Sequence, residues 1–442
     1  MRFALSAALL VTALLVVYLP DVGHGFIKDD FRWIHEASRI RSAADAAHTF
    51  RENVGFYRPV VVFSFAADHA VWGLNPRGYG LTNLALLLVD ALLVFLLARR
   101  LSVPPEGALV GAAVWVFNFH GVNMAVLWTS GRTALLMCLF ALSALLAYTR
   151  GRWTLAGVLS LLAMLCKEEA ACLPFVFTIA AWLDGESRLV ARVWPAWAAL
   201  GVYLLLRHDS GAFGPLTAPD YYQFTASPSL IVRNVLEYAD RGATVAAVVV
   251  IVLLIGVGTA ALSPERHRRL IRIAALWFVG FYALTVFLPV RSDLYALAPA
   301  VGSALLASAV AASAAQINPS RFRSAVTVLL VLTLAAIPIY RTRNGRWVRP
   351  AELTANALRT VHSLSGRPSG HVTLIDDPGA AVTLDSGFGA LFPDAVRLVL
   401  GDGWTGEIRD GRSVRDDTAT DPHGDIVVAR EGDAFNVLRS PE

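Results

Sequence analysis

The chain has 442 residues, of which 56% are hydrophobic and only 16% charged, with a mean hydropathy of +0.55. A soluble globular chain is usually about a quarter charged, so water alone is excluded as its solvent. The net charge of +4 and pI near 9.1 do not call for a nucleic-acid partner, because the arginines sit at the ends of apolar runs, where they report topology.

Apolar runs of the length an α-helix needs to cross about 30 Å of hydrocarbon recur up to Tyr340, which predicts an all-α polytopic bundle rather than a barrel. In chain order the expected spans are 3–20, 81–98, 107–123, 130–148, 153–166, 170–183, 190–206, 242–262, 270–290, 294–315 and 324–340, eleven in all. The first follows Arg2, and no A-x-A-like cleavage site occurs in the YLPDVGHG after it, so it reads as an uncleaved span. With the N-terminus cytoplasmic, Arg99, Arg100, Arg150, Arg152, Arg188, Arg192, Arg266, Arg268, Arg269, Arg272, Arg321 and Arg323 all fall on cytoplasmic turns, as the positive-inside rule requires. The expected location is the plasma (inner) membrane, with the C-terminus outside.

Two outer segments are long. Residues 21–80 carry Lys28, Arg32, Arg39, Arg41, Arg51, Arg58 and Arg77 on the side the charge rule disfavours, which points to an anionic ligand. In 207–241, Tyr221, Tyr222 and Phe224 suggest a segment lying in the interface. From 341 to 442 the composition turns to Gly, Pro, Asp and Arg. An amphipathic stretch at Ala351–Leu364 and β-like runs HVTLI, AVRLVL and DIVVA predict a small α/β extracytoplasmic domain there, with 1–340 forming the membrane domain. Cys138, Cys166 and Cys172 lie in apolar runs without metal or disulfide spacing.

The strongest site candidate is KDDF, with Lys28, Asp29 and Asp30 just after the first span. Adjacent carboxylates point in different directions, so one can meet a reaction while the other orients, and a single general base is the natural assignment. The bland alternative is a solvated helix start whose acids complement the dipole. Asp90, within LLLVDALLVF, is an intramembrane acid, read as a neutral or hydrogen-bonded structural residue. Trp115, Trp128 and Trp153 read as packing or interface anchors.

Further along stand FYRPV with Tyr57, Arg58 and Pro59, then WGLNPRGYGLTNL, WTSGR ending at Arg132, CKEEA with Lys167, Glu168 and Glu169, and RSDLYALAP with Arg291 and Tyr295. In this order the motifs resemble the GT-C superfamily of polyprenyl-phosphate-sugar-dependent glycosyltransferases, and most of all the membrane part of the O-mannosyltransferases that carry tetratricopeptide repeats. The resemblance covers about 1–345 and is strongest over 21–175. It implies inverting transfer of a sugar, mannose first, from a polyprenyl-phosphate donor in membrane lipid to a hydroxyl of a protein or glycan acceptor outside. Asp29 or Asp30 would be the base. Lys28, Tyr57, Arg58, Arg132, Lys167, Glu168, Arg291 and Tyr295 would contact the lipid phosphate or the sugar, since a phosphate leaving group needs positive charge more than a general acid. Relatives carry acids near 124 and 134, where this chain has Met124 and Ala134 beside Asn123 and His120, so no metal site and no cofactor are indicated. Two alternatives stay open: a transporter or flippase for a lipid-linked sugar, with Asp90 relaying protons, and an inactive relative acting as an assembly partner.

Overall fold

A computed structural model describes residues 2–52, 56–185, 187–212, 220–262, 264–364, 368–377, 379–411, 426–432 and 434–439. The chain enters through α1 (Arg2–Tyr18), then builds the first long segment from α2 (Asp29–Ser38), α3 (Ala43–His48) and α4 (Pro59–Trp72). Next come α5 (Pro76–Arg100), α6 (Pro105–Val116), α7 (Gly121–Leu127), α8 (Arg132–Thr149), α9 (Trp153–Met164), α10 (Leu173–Leu183), α11 (Ser187–Arg192) and α12 (Trp194–Asp209). The bundle closes with α13 (Pro228–Val257), α14 (Arg268–Tyr282), α15 (Pro299–Ile317) and α16 (Pro319–Leu364).

Among the described residues seven helices are long and apolar enough to cross a membrane, or eight if the bent pair α6 and α7 is one span. The chain is a multi-pass membrane protein, and among the described residues seven of the eleven expected spans, or eight with the bent pair, have the length and hydropathy of a full crossing. The expected span 107–123 breaks by 67° between α6 and α7. The expected spans 153–166, 170–183 and 190–206 are helices of 12, 11 and 16 residues, shorter than the roughly 17 to 25 a full crossing takes. The apolar runs at α9 and α10 are cut by the polar Lys167–Glu169 turn, so neither can grow to full length. Conversely, the segment 207–241, expected as a long outer stretch, is helical from Pro228, because no second proline stands between that N-terminal one and Val257.

Small residues set the closest approaches. α15 is mostly Ala, Ser and Gly, and is buried along nearly its whole length. A Cβ on Gly107 or Gly111 would come within 2.9 Å of the Ser308 carbonyl or 2.8 Å of the Ser308 Cβ, so α6 lies backbone to backbone on α15.

The last helix does not stop at 340. α16 runs 46 residues, about 69 Å at 1.5 Å per residue, and so carries the chain well beyond a hydrocarbon layer into the C-terminal unit. It is tied back to the bundle by Asn344, whose Nδ2 donates to the Val17 carbonyl (2.8 Å) and Asp21 Oδ2 (2.7 Å) while its Oδ1 accepts from Asn123 (2.6 Å).

The C-terminal unit is a four-stranded mixed sheet ordered β2-β1-β3-β4, with β1 Gly370–Asp376, β2 Trp404–Asp410, β3 Ile426–Glu431 and β4 Ala434–Arg439. β1 is parallel to β2 and β3, and β4 is antiparallel to β3. Between β1 and β2 run α17 (Leu384–Phe388) and α18 (Phe392–Leu400). The expected strand AVRLVL is therefore part of α18. Its buried residues Phe392, Ala395 and Val396 recur at helical spacing, and Pro393 and Asp394 stand in its first turn.

Candidate functional site

The first long segment folds back so that the N-terminus of α2 faces the bundle. Lys28 holds φ +49°, uncommon for a residue with a Cβ. Its N–H donates to the Gly387 carbonyl of α17 at 2.7 Å. The C-terminal unit thus braces the peptide that aims Asp29. Further contacts reinforce that brace: Phe31 stacks on Phe388 at 5.5 Å, Arg32 lies 3.4 Å from Asp394, and Thr354 of α16 donates to the Phe26 carbonyl at 2.6 Å.

The two aspartates have separate fates. Asp30 is fully buried: Oδ2 accepts from the Ile27 N–H at 2.9 Å, and Oδ1 from the Ser130 N–H at 2.6 Å and from the Ser130 hydroxyl. It pins the first segment to the 129–131 turn. Burial pushes its pKa up to about 7, against these hydrogen bonds. Asp29 is half-buried and lines a narrow cavity of about 60 Å³ with Trp33, Arg58, Lys167, Tyr222 and Tyr295. Burial raises the Asp29 pKa, while Arg58, Arg32 and Lys28 pull it down. Its environment is therefore that of a carboxylate biased toward taking a proton.

The cations on the cavity wall are not bare. Arg58, at the start of α4, donates from Nη2 to Glu168 Oε1 at 2.8 Å and from Nε to Oε2 at 3.2 Å, and stacks over Phe56 at 4.3 Å. Although burial acts to raise the Glu168 pKa, Arg58, Lys167 and Arg207 outweigh it and hold the carboxyl down at about 2. Lys167 is buried, paired with Glu169, with its Nζ 4.6 Å from the centre of the Tyr295 ring. So the CKEEA turn, expected at the outer surface, is packed into the site. Its two acids each take one of the site's cations.

Other expected contacts lie elsewhere. Arg132 is completely buried and salt-bridged to Asp68 at 2.5 Å. It donates to Asn83 Oδ1 at 2.9 Å and the Tyr79 carbonyl at 3.0 Å, and its guanidinium lies 4.6 Å from the Phe65 ring centre. Those donors are spent on protein, which makes Arg132 the joint between α4, α5 and α8 instead of a phosphate contact. The Tyr57 hydroxyl donates to the Phe50 carbonyl at 3.2 Å and is likewise outside the cavity. Arg291 pairs with Glu237 and lines a separate cavity. Lys28 is exposed and outside the narrow cavity. Asp90 is buried in α5, and neither of its oxygens has a hydrogen-bond partner among the described residues.

Sequence reasoning missed Trp33, Thr133, Ser292 and Tyr222 as wall residues. Tyr222 was visible only as part of an aromatic run, yet it sits edge-on to Phe56 at 5.6 Å. Trp128, read as packing, faces the cavity and stacks at 6.1 Å on Trp347 of α16. Among the described residues no three His, Cys, Asp or Glu side chains come together as a metal-binding group.

Comparisons with known proteins agree with this architecture. No family model matches the sequence. Protein O-mannosyl-transferase Tmtc1 of Drosophila melanogaster is 34% identical over 174 residues, which is 35% of this chain and 20% of that protein; the match thus spans about a fifth of the relative's length. The crystal structure of ArnT from Cupriavidus metallidurans in the apo state superposes with a TM-score of 0.54 at 14% identity, covering 96% of this chain and 92% of that one. The chain accordingly has the GT-C fold implied by its motif order, in the form seen in ArnT, with a distant sequence similarity to Tmtc1.

Proposed function

We propose that this protein is a membrane glycosyltransferase that moves a sugar, mannose in the first instance, from a polyprenyl-phosphate carrier to an acceptor hydroxyl on the extracytoplasmic side. The observation that carries the reading is the convergence of Asp29, Arg58 and Lys167, far apart in sequence, on one cavity. In the proposed step the Asp29 carboxylate takes the proton of the acceptor hydroxyl as its oxygen attacks the anomeric carbon. The bond from that carbon to the phosphate oxygen breaks, and its electron pair leaves with the lipid phosphate. Attack opposite the leaving group inverts the centre.

The leaving phosphate needs cations that are already in place. Arg58 uses Nε and Nη2 on Glu168, which leaves Nη1 to meet an anion while Glu168 keeps the fork oriented. Lys167 stands on the same wall beside the Tyr295 ring. The lipid tail accounts for the membrane bundle, and the arginine-rich turns support a reading in which the site faces outside.

The test is transfer from radiolabelled polyprenyl-phosphate mannose by the purified protein. Asp29→Asn is expected to lower the rate by about 10²- to 10⁴-fold, the usual share of a general base. Undiminished transfer in both Asp29→Asn and Asp30→Asn refutes the proposal. A transporter reading is favoured by one observation, the unpartnered Asp90 inside α5. It predicts that Asp90→Asn abolishes movement of the labelled lipid across a vesicle bilayer while Asp29→Asn does not.

A further inference from the structure

A second cavity, larger and different in character, lies against the first. It measures about 580 Å³ and is lined by His120, Glu237, Asp240, Arg241, Pro289 and Arg291. Pockets that hold small organic ligands run to roughly 300–1,000 Å³, whereas a water occupies about 30 Å³. The Asp29 cavity, at about 60 Å³, has room for the reacting groups and little more. The outer cavity has the size of a ligand.

One short stretch of chain separates the two. Leu288 (φ −92°, ψ 133°) and Ser292 (φ −121°, ψ 140°) are extended. Along the strap between them the lining alternates, as side chains on extended backbone do. Pro289 and Arg291 face the outer cavity, while Val290 and Ser292 face the inner one. The strap is pinned by the Val290 N–H on the Tyr221 carbonyl at 3.0 Å. A single extended segment is about 5 Å thick, so the cavities stand one sugar ring apart.

The lining chemistry selects the ligand. Two guanidinium groups are set against the carboxylates of Glu237 and Asp240, and both guanidinium groups are already paired: Arg241 lies 3.1 Å from Asp293, just beside the lining, and 3.6 Å from Glu237, and Arg291 pairs with Glu237. No net positive charge remains to favour a phosphate. Among the described residues Pro289 is the one apolar side chain in the lining, too little for a lipid tail or for the apolar half of a peptide. What remains is a neutral molecule dense in hydroxyls, each able to donate to a carboxylate and accept from a guanidinium or the His120 ring.

We infer that the outer cavity binds a carbohydrate portion of the acceptor, seating the sugar next to the one whose hydroxyl reaches Asp29. This rests on the glycosyl-transfer reading above and specifies its acceptor as a glycan of at least two rings. Asp240 is exposed and, among the described residues, its carboxylate is bonded to Thr244, whose hydroxyl donates to it at 2.6 Å, so its replacement does not threaten the fold.

The test uses the full chain in lipid nanodiscs with polyprenyl-phosphate mannose as donor and three acceptors: methyl mannoside, a methyl mannobioside and a Ser/Thr peptide. The two-ring glycoside is expected to exceed the one-ring glycoside in kcat/KM by about tenfold or more, the worth of one or two hydrogen bonds to charged groups. In Asp240→Ala combined with His120→Ala that ratio falls toward one, and in Asp240→Asn it falls part of the way. The inference is overturned if the ratio survives the double substitution, if the peptide is the preferred acceptor, or if neither glycoside is used. Donor hydrolysis is measured in the same samples. Hydrolysis that is insensitive to Asp29→Asn indicts the glycosyl-transfer reading itself, whereas Asp29-dependent hydrolysis with no two-ring preference indicts only the acceptor site.

Discussion

Removing the Asp30 side chain should unseat the first segment, whereas altering Asp29 should spare the fold and stop the reaction. Asp30→Ala takes away the acceptor for the Ile27 and Ser130 N–H groups, bonded at 2.9 and 2.6 Å, and for the Ser130 hydroxyl. All of these lie where Asp30 has no exposed surface. A buried donor left unsatisfied costs roughly 1–3 kcal/mol, so the two N–H groups alone sum to about 2–6 kcal/mol, the hydroxyl being free to rotate elsewhere. Among the described residues Asp29 anchors no such network, and it is half-buried, so Asp29→Asn should change stability by no more than about 0.5 kcal/mol. Thermal melting of each variant in one detergent, paired with its transfer rate, separates the roles. The expected pattern is a wild-type melting temperature with a collapsed rate for Asp29→Asn, and a lowered melting temperature for Asp30→Ala. Asp30→Asn losing activity at an unchanged melting temperature, while Asp29→Asn stays active, would reverse the assignment and refute the reasoning.

Arg132→Met should destabilise the bundle by about 3–5 kcal/mol, because it strands Asp68 in the interior; a stable variant with only weakened donor binding would return Arg132 to the phosphate site. Since burial raises the Asp29 pKa and the base must be ionised to act, the acidic limb of the kcat/KM profile should lie above the ordinary carboxylate range, with rate increasing as pH rises. A limb at or below the usual aspartate value would contradict the base assignment. Glu168 has the opposite sign: its pKa drops from 4.5 to about 2 on folding, so the stability it contributes is whole above 4.5 and disappears as pH falls toward 2. The stability gap between wild type and Glu168→Gln, followed by denaturant titration at several pH values, should therefore shrink over that window and be flat above it. Asn344→Leu removes donors to Val17 and Asp21 and an acceptor for Asn123, and should expose the middle of α16 to limited proteolysis at temperatures where the wild-type chain resists.

Much of the molecule could be read from residue types and order. Hydropathy alone identifies a helical membrane protein, since a backbone in lipid must satisfy its own hydrogen bonds. The motif order from KDDF through CKEEA pointed to Asp29, Arg58 and Lys167, which the structure brings to one cavity. The short β-like runs HVTLI and DIVVA located β1 and β3. AVRLVL misled because a short apolar run is compatible with either period, and only its packing as α18 against α2 and β2 decided between them.

The bundle, the polar first segment and the acids worth testing were thus determined by local composition and motif spacing, both properties of the chain alone. Which arginine lines the Asp29 cavity and which lies elsewhere was not, because it depends on partners distant in sequence: Asp68 for Arg132, Glu168 for Arg58, Glu237 for Arg291. The same is true of which of the adjacent aspartates is buried and which faces the cavity. It is decided by the Ser130 turn and by Gly387 holding Lys28 in place, contacts across 100 and more than 350 residues of chain that no local pattern encodes.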